Sequence, residues 1–314
     1  MLSNAIKKLF ALAVIVLTMS SCGDSGNDLG DDLEWSVPPP VHDRIAYSNG
    51  GELWTMSGDG SDKKLIYRAK GYNIEKLRFH PSGRRIFFYK NGGEFSNDNW
   101  ISSVYVDGGR PEDIFCLGPE GRGNFIGFTP GGEKMAYFKD VADGATQNYE
   151  IFVSELDGSS ALNITNDSDN NTAGDVSPYE NIIVYSSGIP MDSYSSDLVK
   201  QPIYGDTVTQ VADAEGGSDG GPRFFPDGFR IAFRARSQTE PYHDIYTVNL
   251  DGSSLINITD TPTLNEGELC VSPDGEHIIY TSKESGLFNL WKIDTNGKNK
   301  VRLTVKGGRF PDWH

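Results

Sequence analysis

The sequence predicts an all-β protein, a six-bladed β-propeller of four-stranded antiparallel blades. Three observations carry this. The turn segments "FHPSG", "FTPGG", "VSPYE", "FFPDG" and "VSPDG" place prolines at 81, 130, 178, 226 and 273, a repeat of 47 to 49 residues. After each turn comes an apolar run rich in β-branched and aromatic residues: "RIFFYK", "KMAYFK", "NIIVYS", "RIAFRA" and "HIIYTS". A period of this length means propeller blades or helical arrays, and short turn-bounded β runs select blades. Finally, the two chain ends each carry part of a unit: residues 44–67 supply three strands without a first one, and "GGRFPDW" supplies a first strand and a Pro-Asp turn signal with nothing after it. Pairing the ends in one blade closes a ring of six and removes most exposed sheet edges.

From the N-terminus, "MLSNAIKKLF" puts Lys7 and Lys8 ahead of "LFALAVIVLTM", an apolar run too short to span a bilayer, so residues 1–21 read as a secretory signal peptide. The "MSSC" that follows resembles a bacterial lipoprotein signal, with Met19 where that signal usually has Leu; the resemblance makes Cys22 the lipidated N-terminus. Residues 22–42, acidic and ending in a Pro run, read as an extended tether, and residues 43–314 as the propeller. Loss of residues 1–21 removes Lys7 and Lys8 and leaves 26 basic against 44 acidic residues, a formal net charge of −18. That balance disfavours nucleic acid and anionic membrane surfaces as partners. Cys116 and Cys270, in "DIFCL" and "ELCVS", read as small buried residues without metal-ligand spacing.

Within each repeat the second strand leads through a variable loop to a third, as in "EIFVSELDG", "DIYTVNLDG" and "NLWKIDTNG", whose closing Asp-Gly or Asn-Gly suits a tight hairpin. A short fourth strand, "ALNIT", "LINIT" or "VRLT", completes the unit; the Asn-x-Thr matches at Asn163 and Asn257 are by-products of that strand. The pattern resembles the TolB-like β-propellers, most closely in "FFPDGFRIAFRA…DIYTVNLDGSSLINIT" and "VSPDGEHIIYTS…NLWKIDTNGKNKVRLT", while blade four departs with "SPYE" and "YGD". The resemblance covers residues 43–314 and the propeller alone, the segment ahead of it reading as a linker and not as the α/β domain of TolB.

Function is then sought in the loops, since packing accounts for the repeat residues. The proline turns and Asp-Gly hairpins share one face. The loops between second and third strands, with the inter-blade connections, share the other, here the loop face. The loops of this face, long in blades two to five, carry Phe95, Trp100, Tyr149, Tyr194 and Tyr242, and the short loop "KESGLF" of blade six carries Phe288; Tyr149 and Phe288 suit packing, whereas Trp100 stands where other blades place Glu150, Asp197, Asp244 or Asn289. Trp100, Tyr194, Tyr242 and His243 are the binding candidates of this face. Arg78, Asp175 and Arg223 lie three residues before their prolines on innermost strands, with Arg309 near the equivalent point, so their charges must reach the channel or pair between blades.

The inter-blade segments "NDSDNNTAGD" and "DAEGGSDGG" are rich in oxygen donors, making calcium the one ion considered, although the first lacks the Gly and distal Glu of an EF-hand loop. No cofactor and no catalytic set is expected otherwise: the five histidines are scattered, with only His80 and His243 expected near the loop face, too few for the histidine-rich metal site that TolB-like oligogalacturonate lyases carry. The expected function is a monomeric, lipid-anchored module of the bacterial cell envelope that binds protein, peptide or glycan; a polysaccharide lyase-like enzyme is the competing reading.

Overall fold

The computed structural model describes residues 38–92, 98–118, 123–142, 147–189, 196–213, 218–236 and 241–314. The signal segment, Cys22, Phe95 and Tyr194 lie outside them. Blade one takes β1 (Arg44–Asn49), β2 (Glu52–Ser57) and β3 (Lys64–Arg68). Blade two is β4 (Asn73–Phe79), β5 (Arg85–Asn91), β6 (Asn99–Tyr105) and β7 (Glu112–Gly118). Blade three is β8 (Gly123–Phe128), β9 (Lys134–Asp140), β10 (Tyr149–Glu155) and β11 (Leu162–Asn163). Blade four, despite its divergent turns, is complete with β12 (Asn170–Val176), β13 (Ile182–Gly188), β14 (Ser196–Pro202) and β15 (Thr209–Ala212). Blade five is β16 (Ser218–Phe224), β17 (Arg230–Arg236), β18 (Asp244–Asn249) and β19 (Ile256–Asn257); blade six is β20 (Glu266–Val271), β21 (His277–Ser282), β22 (Asn289–Asp294) and β23 (Val301–Arg302). The last strand, β24 (Arg309–Trp313), pairs antiparallel with β1 and gives blade one its innermost strand.

The second strand of each blade is apolar on both sides because a neighbouring blade covers each face. In β5, Ile86, Phe87, Phe88 and Tyr89 are all buried. Six apolar clusters result, one per interface between neighbouring blades. The cluster joining blades six and one, with Leu290 and Ile279 against Ile45 and Met56, is as complete as the rest, so the ring is closed by packing as well as by strand pairing. Each buried side chain of this size contributes about 2 kcal/mol.

The hairpin glycines follow from the same stacking. Gly108 has φ +95°, and a Cβ there would stand 2.6 Å from the Ile66 carbonyl oxygen of the preceding blade. The turn therefore requires both the left-handed backbone and the missing side chain.

Closure corrects one sequence expectation. Pro311-Asp312 is not a turn but part of β24: Asp312 pairs with Ala46 as Arg223 pairs with Ala232, so Pro311 matches Pro222 and not the turn proline Pro226. Both strands bulge at this point, with the register slipping between Arg309 and Asp312 and between Gly220 and Arg223. The residue two places before the ring position is left-handed in four blades: Lys76, Ala173, Gly221 and Phe310. A bulge of this kind bends the strand and re-aims its side chains, here into the channel.

Candidate functional site

Register places one residue of each innermost strand at the same height in the channel: Asp312, Arg78, Gly127, Asp175, Arg223 and Cys270, going around the ring from blade one. Two arginines and two aspartates thus share one layer. Arg223 donates to Asp312 Oδ1 at 2.5 Å, to the Leu269 carbonyl at 3.0 Å and to the Pro311 carbonyl at 3.3 Å, and its guanidinium is 3.8 Å from Asp175. Asp312 Oδ2 accepts from the Phe79 amide and Asp175 Oδ2 from the Phe224 amide, so each carboxylate also ties its blade to the next. Arg78 is held less well: it donates to the Leu77 carbonyl, its Nε is buried without a hydrogen bond, and it lies 4.0 Å from Asp175. Burial and the nearby Arg223 bring its pKa down to about 10. The three candidates read from proline spacing therefore meet, and Gly127 leaves them room.

Arg309 does not join this layer. It belongs one step nearer the loop face, where it donates to Glu268 at 2.5 Å and lies over the Phe288 and Phe310 rings. Around it, Lys76, Phe125, Ala173, Gly221, Glu268 and Phe310 bound a small chamber of about 40 Å³ beneath the loop face. Burial, reinforced by Arg234 and Arg78 and opposed by Glu268, draws the Lys76 ammonium down to about 8. Lys76 Nζ lies 5.6 Å from the Phe310 ring centre, and the Arg234 guanidinium lies alongside Gly220 and Gly221. Among the described residues neither of these two cations has a hydrogen bond or an ion pair. Sequence reading missed Asp312, Lys76, Glu268 and Arg234. Lys76 and Glu268 stand two residues before ring positions, a signal readable only once the bulge is known.

On the opposite side of the ring the channel widens into a funnel of about 350 Å³, walled by Phe79, Phe128, Phe224 and Trp313 below the proline turns. His80, expected near the loop face, sits at this end: its ring bonds Ser82 and the Gly132 carbonyl and packs edge-on against Phe128. It is part of the turn because it immediately precedes Pro81, which fixes it to the proline-turn face.

The remaining candidates lie at the loop face. Tyr242 is exposed, and His243 Nδ1 donates to Asn265 Oδ1 at 3.0 Å. Burial, with Arg234 adding to it, lowers the His243 pKa to about 4, so the ring is neutral at pH 7. Trp100 is half-buried on β6 opposite Cys116. In its place other blades carry a cap: Asp244 accepts from the Thr261 amide and the Asn257 side-chain amide, Glu150 from the Thr165 hydroxyl, and Asn289 from the Thr304 hydroxyl. That cap explains the "NIT" and "LT" strands, and blade two replaces it with an aromatic. Cys270 is buried and free, whereas Cys116 is only half-buried, which corrects the expectation of two buried cysteines. Among the described residues one acidic–histidine group, Asp274, Glu276 and His277, brings its side-chain donors within 4.8 Å of one another, on the proline-turn face. No helix among the described residues is long and apolar enough to cross a membrane.

The TolB beta propeller domain model of the PD40 family matches residues 126–313. TolB from Acinetobacter baumannii superposes with a TM-score of 0.71 at 18% identity, over 85% of this chain and 65% of its own. The chain thus spans about two thirds of that protein. A putative TolB from Agrobacterium tumefaciens gives 0.64 at 19% identity, over 86% and 91% of the two chains. A chain of a nidogen/laminin complex gives 0.65 at 12% identity, over 82% and 91%. At these identities the likeness is one of fold.

Proposed function

Because the chain belongs to the TolB beta propeller domain family, we propose that it is a non-catalytic protein-binding module, held at the bacterial cell envelope by a lipid on Cys22 and binding through its loop face. The observation that carries this reading is the pair Lys76 and Arg234. In a chain of formal net charge −16, two cations with no hydrogen bond or ion pair among the described residues sit at the loop-face end of the channel. The chamber beside them holds roughly three waters, room for a carboxylate but not for a sugar ring. An acidic side chain or a terminal carboxylate on an extended segment of a protein partner fits that space and charge. Behind it the Arg–Asp layer pairs Arg223 with Asp312 and partitions the channel, so the ring residues hold the scaffold and Lys76 and Arg234 face the partner.

A photo-crosslinking residue at Tyr242, on the loop face, tests this against one at Phe229, which is 74% exposed on the proline-turn face. In cells, a discrete crosslinked protein is expected from position 242 and lost with Lys76→Met and Arg234→Gln. Crosslinking from position 229 alone would overturn the loop-face assignment.

A further inference from the structure

We propose that the connection between blades three and four is a calcium site, built from Asp167, Asp169 and Asn171 above Glu150. The segment Asp167-Ser168-Asp169-Asn170-Asn171 carries oxygen donors at every second residue, the spacing with which EF-hand loops begin. Asp167 and Asp169 are exposed, but Asn171 beneath them is 0% exposed. Its Nδ2 donates to Asp167 Oδ1 at 2.8 Å and to the Asp169 carbonyl at 3.3 Å, while its Oδ1 is buried with no donor among the described residues. Half a turn of the amide exchanges the two atoms and sets Oδ1 beside the Asp167 carboxylate and the Asp169 carbonyl, three oxygens about one point. Asn148 repeats the pattern: its Nδ2 donates to the Asp167 carbonyl at 3.2 Å and its Oδ1 is buried without a partner among the described residues.

Charge points the same way. Glu150, at 1% exposure, accepts from the Asp167 amide and the Thr165 hydroxyl and places a third carboxylate against the loop from β10. Among the described residues no Lys, Arg or His forms an ion pair with Glu150, Asp167 or Asp169. A divalent cation supplies the missing charge. Oxygen-only donors, part side chain and part backbone in an irregular loop, select calcium over zinc or magnesium. The distal glutamate that the loop lacks has a counterpart in Glu150 from the adjacent strand. The exposed group Asp274, Glu276 and His277 differs: Asp274 is bonded by Ser272 and the Glu276 amide, and His277 Nδ1 by Asp294, leaving no orphaned atom.

Terbium luminescence of the full chain tests the site, with Tyr185 as sensitiser because Asp167, Glu150 and Asp169 act, after burial, on its phenol. Saturable emission displaced by calcium is expected, with a calcium-dependent rise in Tm. Asp167→Asn with Asp169→Asn, isosteric and exposed, should weaken calcium at least tenfold while the calcium-free melt is kept. Tyr185→Phe should reduce the emission and leave the calcium-dependent Tm shift. Absence of saturable emission in the wild type overturns the proposal, as does emission that survives the double variant but is lost with Asp274→Asn.

Discussion

The guanidinium of Arg223 donates to the carboxylate of Asp312 at 2.5 Å, joining blade five to the strand that closes blade one across 89 residues of sequence. Both side chains are largely buried, at 7% and 13% exposure. Two buried charges are stable there only as a pair, because removing one leaves the other desolvated. Asp312→Asn should therefore cost about 3 kcal/mol or more in chemical denaturation. Arg223→Met combined with Asp312→Leu, which removes both charges, should recover part of that loss. A single variant as stable as the wild type would show that the layer has no structural role.

The same strand gives a second test. Deleting residues 307–314 removes β24, strips Phe310 from the core between blades one and two, and exposes the edge of β1. Calorimetry should show a markedly lower Tm, and the open edge should promote self-association visible in size-exclusion chromatography. An unchanged melt would mean that the ring does not need its closing strand.

Much of this architecture is legible in sequence because the repeat is a period in residues, and complementarity of the chain ends needs no geometry. Arg78, Asp175 and Arg223 are legible for the same reason: each keeps a fixed distance from a turn proline. Arg309 is misread because β24 contains the wrong proline for that ruler. Pro311 matches Pro222 inside the strand, so the true ring residue is Asp312. Lys76 and Glu268 escape because a bulge decides where they point, and a bulge depends on backbone register that the residue types do not encode. Arg234 escapes because a charge on a second strand reads as solvated, whereas Gly220 and Gly221 open the space that lets it reach the channel.

Gly108 and Gly71 separate backbone strain from crowding. Both have positive φ, +95° and +81°, but a Cβ on Gly71 meets nothing within 4 Å, whereas on Gly108 it meets the Ile66 carbonyl at 2.6 Å. Gly71→Ala should cost about 1 kcal/mol, the left-handed penalty alone. Gly108→Ala should cost clearly more, because blade two must move away from blade one. Equal losses in urea denaturation would mean that the hairpin is not seated on the neighbouring blade.

Glu266 makes stability depend on pH in a direction opposite to that of a salt-bridged carboxylate. At 1% exposure it accepts from the hydroxyls of Thr259, at 2.5 Å, and Thr261, at 2.8 Å, and burial, with Asp244 nearby, outweighs those bonds and raises its pKa to about 7. Between its ordinary value of 4.5 and about 7 the folded protein keeps a proton that the unfolded chain has lost. The folded state binds more protons there, so this group's contribution falls as pH rises across that window and is constant above it. A shift of this size corresponds to about 3 kcal/mol. Glu266→Gln, which keeps the hydrogen-bonding shape without the charge, should be more stable than the wild type at pH 8 and comparable to it near pH 4.5. Urea melts of the two proteins across that range check this, and parallel pH profiles would show that Glu266 does not titrate as its burial requires.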